Sequence, residues 1–154
     1  MKAVHLLGQQ IKACNKGKVC YIAGVDRYIF VEFLLVGSGG FIGSGFRYLL
    51  ATSVQRMFPH VAFPFGTVTV NIIGCFLIGY IANALQVRGI IDPAVQLFLI
   101  VGILGGFTTF SAFSYENILL VQDAHVGMAL LNAVISVVVG FGAAWLGFQL
   151  GRVI

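Results

Sequence analysis

The chain has 154 residues and a formal net charge of +4; 59% of it is hydrophobic and only 9% is charged. Soluble domains carry roughly 25% charged residues, so nine Lys and Arg with five Asp and Glu exclude a soluble globular monomer, a nucleic-acid binder and a disordered tail. Twenty glycines in so apolar a chain point to helices packed closely inside a membrane.

Residues 1–30 hold Lys2, Lys12, Lys16, Lys18 and Arg27 and lack the ~7–15-residue apolar run of a signal peptide. They read as a basic N-terminal extension, either a cytoplasmic tail or an over-called start. Its Cys14 and Cys20 lack a partner cluster and are expected to be reduced thiols. Residues 31–154 form the transmembrane domain. The first span is expected at about 33–52, interrupted by Arg47, whose long side chain can snorkel toward the headgroups near the span's end. The connection 53–65 carries Arg56, Pro59, His60 and Pro64.

Residues 57–87 form a charge-free run of 31, longer than the ~20 residues that cross a hydrocarbon core as a helix. The second span is expected at 66–86. Thr67, Asn71 and Gly74 follow i, i+4, i+7 spacing and share one face. They either hydrogen-bond neighbouring helices or line a polar path. Cys75 is a small packing residue. The loop 87–93 is short, which makes successive helices antiparallel neighbours.

A second charge-free run, 93–115, contains 23 residues, and the third span is expected at 94–119. Gly105 and Gly106, followed by Thr108 and Thr109, have the poorest helix propensity in the chain. The stretch predicts a break at membrane depth, freeing backbone groups for protein, water or a bound ion. The competing reading is a packing notch built on Gly102 and Gly106. Phe110 and Phe113 are i, i+3 neighbours. Phenyl edges are electropositive and can attract an anion without forming a strong site; ordinary apolar packing is the alternative. Ser111 and Ser114 add hydroxyls on the flanking face. The run 124–151, 28 residues long, holds a fourth span at 126–151. Its Asn132 and Ser136, an i, i+4 pair, either line the same path or bridge helices. None of the segments alternates polar and apolar residues as barrel strands do.

The intramembrane polar set is neutral: Thr, Ser and Asn. Glu116 is the only acid inside a predicted span and lies toward its end, while His5, His60 and His125 fall in the extension or in loops. Cation paths use acids or carbonyl rings, and proton-coupled exporters need a titratable group near mid-membrane. Neutral donors suit the passive movement of a small, strongly hydrated anion. The alternatives are a small dual-topology multidrug or cation exporter, which requires a mid-membrane acid, and a non-transporting assembly protein held by glycine notches.

Three stretches carry a resemblance: GGFIGSGFRY (39–48), GTVTVNIIGCF (66–76) and GGFTTFSAFSYE (105–116). Together they resemble the Fluc (CrcB) family of fluoride channels, over about residues 33–152. The resemblance implies an all-α membrane protein with four transmembrane helices per subunit and a broken third helix. Two copies would pair as an antiparallel, dual-topology homodimer with two fluoride pathways across the lipid bilayer of the cell (inner) membrane. It implies a structural sodium ion at the dimer centre, held by the backbone carbonyls of Gly105 and Thr108. The family's pore phenylalanines match Phe110 and Phe113, its pore asparagine Asn71, with Thr67 one turn before, and its first-helix arginine Arg47, in a vestibule. Ala112 departs from the threonine often found there. The implied function is passive export of fluoride ion from the cytoplasm, relieving its toxicity, with no enzymatic activity. Arg88 and Arg152 lie on one side of the four spans and Arg47 and Arg56 on the other. This two-against-two tally gives no preferred orientation under the positive-inside rule; the extension makes it seven against two, which favours a cytoplasmic N-terminus.

Overall fold

The computed structural model describes residues 23–89 and 92–153. Most of the basic extension, including Cys14 and Cys20, lies outside the described residues. The chain divides into two compact units, Met1–Val31 and Glu32–Ile154; the site and all of the spans except the start of the first belong to the second.

All regular structure among the described residues is helical. Helix α1 runs Ala23–Arg56, α2 Phe65–Val87, α3 Pro93–Gln96, α4 Gly105–Phe107, α5 Phe110–Gln122 and α6 Val126–Leu150; a π-helical segment, Leu97–Leu104, joins α3 to α4. Four stretches are long and apolar enough to cross a membrane: Tyr28–Arg56, Phe65–Val87, Pro93–Gln122 and Val126–Leu150. Three match the expected spans within a few residues. The first helix departs most, starting at Ala23 instead of 33 and ending at Arg56 instead of 52. Charge and hydropathy mark hydrocarbon depth, whereas backbone hydrogen bonding continues the helix beyond it. Gln55 in the last turn of α1 secures the connection, donating to the Phe63 carbonyl (3.3 Å) and accepting from the Gly66 N–H (3.1 Å).

Burial is inverted relative to a soluble protein. Among the fully buried side chains the largest are Val70 and a polar residue, Asn132, while Phe41 (81%), Phe141 (76%) and Val137 (68%) face outward. Glycines set the packing. A Cβ on Gly39 would lie 2.6 Å from the Phe98 carbonyl oxygen, one on Gly106 2.6 Å from that of Gly40, and one on Gly43 would collide with the Ile103 carbonyl. α1 therefore approaches the third span backbone to backbone through small residues four apart. Gly79 meets the Ala144 carbonyl and Gly147 the Phe76 carbonyl in the same way, locking α2 to α6.

The third span is the irregular one. Asp92 caps it, its carboxylate accepting the Ala94 N–H at 2.8 Å, with Pro93 in the first helical position. The helix widens to π geometry, returns to one α turn, and becomes extended at Thr108 (φ −82°, ψ 156°) and Thr109 (φ −152°, ψ 124°) before α5 begins. Gly102 and Gly106 seat the span on Gly39 and Gly40, and Thr108 and Thr109 have extended backbone angles.

Candidate functional site

The interruption at Thr108–Thr109 is held by side chains that divert helical hydrogen bonds. In a continuous helix the Thr109 N–H would bond the Gly105 carbonyl. Here it donates to Asn71 Oδ1 at 2.9 Å, and Asn71 Nδ2 donates to the Thr109 carbonyl at 3.1 Å. The Ala112 N–H, whose helical acceptor would be the Thr108 carbonyl, donates instead to Thr109 Oγ1 at 3.3 Å, an N-cap for α5. The diverted bonds release two carbonyls, those of Gly105 and Thr108, from their helical donors. Carbonyl oxygens suit a hard cation, and these are the two carbonyls that the resemblance implies as sodium ligands. Gly74 makes the close approach possible, since a Cβ there would overlap Thr108 Cγ2 and press on the Phe107 ring at 3.3 Å.

Beyond the break the Phe110 and Phe113 rings lie 5.5 Å apart, inclined by 36°. Phe110 is 79% exposed on this subunit and Phe113 half-buried. The expected shared face is therefore a tilted aromatic pair. The hydroxyls expected as anion donors all have internal partners. Thr67 donates to Glu116 Oε1 at 2.5 Å, Ser114 to the Phe110 carbonyl at 2.9 Å, and Ser136 to Asn132 Oδ1 at 3.3 Å. Ser111 Oγ lies 3.1 Å from Thr109 Oγ1. Buried hydroxyls find acceptors wherever they can, and a hydroxyl rotor can be redirected without moving the backbone. Asn132 is completely buried and donates to Asn117 Oδ1 at 3.2 Å. The described bonds of Asn132 and Ser136 are bridges within and between helices, and neither residue lines the cavities described below.

Arg47 sits away from the end of α1. It lines an open cavity of about 510 Å³ together with Thr67, Thr109 and Ser111. Helix α1 extends nine residues past Arg47, to Arg56, so Arg47 faces this recess from within the helix. A neighbouring cavity of about 350 Å³ shares Thr67 and reaches Glu116, whose Oε2 is buried and has no hydrogen-bond partner among the described residues.

Three further residues belong to this set: Asn117, which sequence reasoning missed, and Thr109 and Glu116, which it noted without these roles. Thr109 is both the residue clamped by Asn71 and the cap of α5. Asn117 joins α5 to α6. Glu116 is the acceptor for Thr67. The spacing contained a signal for Asn117, one turn beyond Phe113, but nothing in one sequence pairs it with Asn132.

Four stretches long and apolar enough to cross a membrane are consistent with a four-span membrane protein. The chain matches the family described as CrcB-like protein, Camphor Resistance (CrcB), over residues 34–148, a range that includes the break, the phenyl pair, Arg47, Asn71, Asn132 and Ser136. It belongs to the CrcB family. It is 44% identical over 119 residues to a protein of Methylobacillus flagellatus named "Fluoride-specific ion channel FluC", covering 77% of this chain and 93% of that one. A Thermus thermophilus protein of the same name is 46% identical over 128 residues, covering 83% and 95%. A Campylobacter jejuni protein, also of that name, is 44% identical over 115 residues, covering 75% and 93%.

Proposed function

We propose that this protein is a passive fluoride-selective channel that exports fluoride from the cytoplasm. The observation that carries the reading is its 44–46% identity to proteins named as fluoride-specific ion channels, spanning 93–95% of their length. The chemistry of the site agrees with it. Neutral hydroxyls and amides surround the break, and each hydroxyl described above has an exchangeable partner. A dehydrating fluoride would gain donors by rotating Thr67, Ser111, Ser114 or Ser136 away from internal acceptors. The positive edges of Phe110 and Phe113 supply weak attraction alongside, and Arg47 in its recess raises the local anion concentration at the entrance. Asn71 contributes through the backbone it clamps. An inside-negative potential contributes about 2.3 kcal/mol per charge per 100 mV toward outward movement of an anion.

The working unit is an antiparallel homodimer of dual topology in the cell inner membrane. The carbonyls of Gly105 and Thr108 would hold one sodium ion shared by two subunits, and Gly105 is exposed on the subunit surface, as sharing requires. When bound, the ion supplies fixed positive charge and a bridge between subunits; the chain's part is to keep the two carbonyls out of their helices. Fluoride-loaded proteoliposomes monitored with a fluoride electrode test the function: rapid release on adding the protein is expected, and release no faster than from protein-free vesicles refutes it. Replacing sodium on both sides by a large organic cation should depress the flux, and indifference to sodium removes the ion from the assignment.

A further inference from the structure

The chain of side-chain hydrogen bonds between α6 and α5 ends on the backbone of a phenylalanine. Ser136 Oγ donates to Asn132 Oδ1 (3.3 Å), Asn132 Nδ2 donates to Asn117 Oδ1 (3.2 Å), and Asn117 Nδ2 donates to the Phe113 carbonyl (2.9 Å). All three bonds run in one direction, so each amide has a single orientation that satisfies its neighbours. Asn132 is 0% exposed, which leaves Asn117 and Ser136 as its recorded side-chain partners in place of water.

We infer that Asn117 is a positioning residue that fixes Phe113, and through ring contact Phe110, by tying the Phe113 carbonyl to the buried Asn132 of α6. The inference rests on the fluoride-channel reading for its functional consequence, but its geometry stands independently. A side-chain donor on a carbonyl four residues back competes with regular helix geometry and bends a helix locally. Here the same amide also reaches across to a second helix. The turn from Phe113 to Asn117 is thereby held against α6 at the place where α5 carries the aromatic pair. Phe110, 79% exposed, has Phe113 as its aromatic neighbour, so fixing Phe113 fixes the pair. Asn117 also decides the roles of the other two residues. By accepting from Asn132 Nδ2 it turns Asn132 Oδ1 toward Ser136, and so occupies the Ser136 proton until an anion competes for it. Low local dielectric makes such a network strong when complete and costly when one member is removed.

The test uses the full chain in lipid bilayers, with phenylalanine rings labelled with ¹³C. Asn117→Leu removes both arms at similar volume. Asn117→Ser keeps a donor for the Phe113 carbonyl and cannot reach Asn132; it carries the test alone if the leucine variant does not assemble. Both variants should shift or broaden the Phe113 ring signals, assigned through Phe113→Ile, and leave those of Phe76 unchanged. Phe76 stacks on Tyr80 within α2. Fluoride flux should fall about tenfold for Asn117→Leu, the scale of a buried donor left unpaired, and less for Asn117→Ser. Unchanged Phe113 signals in an assembled variant overturn the inference, as does wild-type flux. If wild-type vesicles release no fluoride, the channel reading fails, and the positioning role is then decided by the ring signals alone.

Discussion

Replacing Asn71 by leucine should close the break rather than merely loosen it. The substitution keeps side-chain volume and removes the two bonds to Thr109, at 2.9 and 3.1 Å. Each contributes about 0.5–1.5 kcal/mol net, so the direct loss is about 1–3 kcal/mol. The Thr109 N–H then lacks a partner in a half-buried position, and leaving it unmade costs about 1–3 kcal/mol more. Recovery requires only that Thr108 and Thr109 turn helical, whereupon the N–H returns to the Gly105 carbonyl. The variant should therefore lose roughly 1–3 kcal/mol of stability, protect the Thr109 amide differently, and lose the sodium dependence of its flux, because a re-engaged Gly105 carbonyl is no longer available to a cation. Asn71→Asp retains an acceptor for the Thr109 N–H but sets a second carboxyl oxygen against the Thr109 carbonyl, so it should cost at least the lost donor, about 0.5–1.5 kcal/mol, and more when ionised. Amide hydrogen exchange at Thr109, thermal unfolding in detergent and sodium-dependent flux measure the three effects. If Asn71→Leu leaves Thr109 exchange and sodium dependence at wild-type values, the clamp does not hold the break.

Phe110→Ile and Phe113→Ile should each leave dimer elution intact and cut fluoride flux at least about tenfold; normal flux in both folded variants rejects the aromatic contact. Gly106→Ala sets a Cβ against the Gly40 backbone and should destabilise by about 1–3 kcal/mol, whereas Gly142→Ala, with nothing within 4 Å, should be neutral or stabilising by up to about 1 kcal/mol; equal unfolding temperatures for the two contradict the glycine contact. Ala124 ends α5 in the left-handed region (φ 61°), with the His125 N–H on the Leu120 carbonyl (2.7 Å) and the Ala124 N–H on that of Val121 (3.1 Å), a position usually held by glycine. Ala124→Gly should raise stability by about 1 kcal/mol, read as a higher unfolding midpoint. C-terminal topology reporters on the full chain and on a chain starting near Tyr28 should show both orientations for the short form; a single orientation there contradicts dual topology in this protein.

The spans and motifs were legible in the sequence because a membrane leaves few options. Charge-free runs of 31, 23 and 28 residues can only be buried or spanning, and two adjacent glycines followed by two threonines weaken a helix at a place the backbone reports. The first helix was misjudged at both ends because the rule that locates it senses lipid depth, and α1 continues beyond that depth. The π-helical turn at Leu97–Leu104 left no trace in the sequence. Its eight apolar residues carry no pattern that separates π from α geometry. Asn71 was read as a lining residue or as helix glue. In the structure its amide bonds the backbone of Thr109, a partner that no side-chain pattern encodes. The same blindness hid Asn117, since the Asn132 that completes it is separated by the α5–α6 turn.

Asn71, the glycine rows and the hydroxyl partners are parts of one device. An interruption at membrane depth exposes amides and carbonyls to a medium that cannot bond them. Asn71 satisfies the amide and the carbonyl of one residue, and Thr109 satisfies the amide of Ala112. That leaves Gly105 and Thr108 as the carbonyls stripped of helical donors. Such a site has to be rigid, or the chain would relax into a continuous helix and lose it. Gly39, Gly43, Gly102 and Gly106 provide that rigidity by bringing α1 onto the third span at backbone distance, where no side chain can yield, and Gly74 brings α2 close enough for Asn71 to reach. The hydroxyls differ in kind. Each is paired with an internal partner that it can leave by a single rotation, which is what the proposed role as anion donors requires. Gly102, Gly105 and Gly106 let the span pack before the break, and the hydroxyl residues Thr108, Thr109, Ser111 and Ser114 follow it, so close packing and polar hydrogen bonding occupy successive stretches of one span.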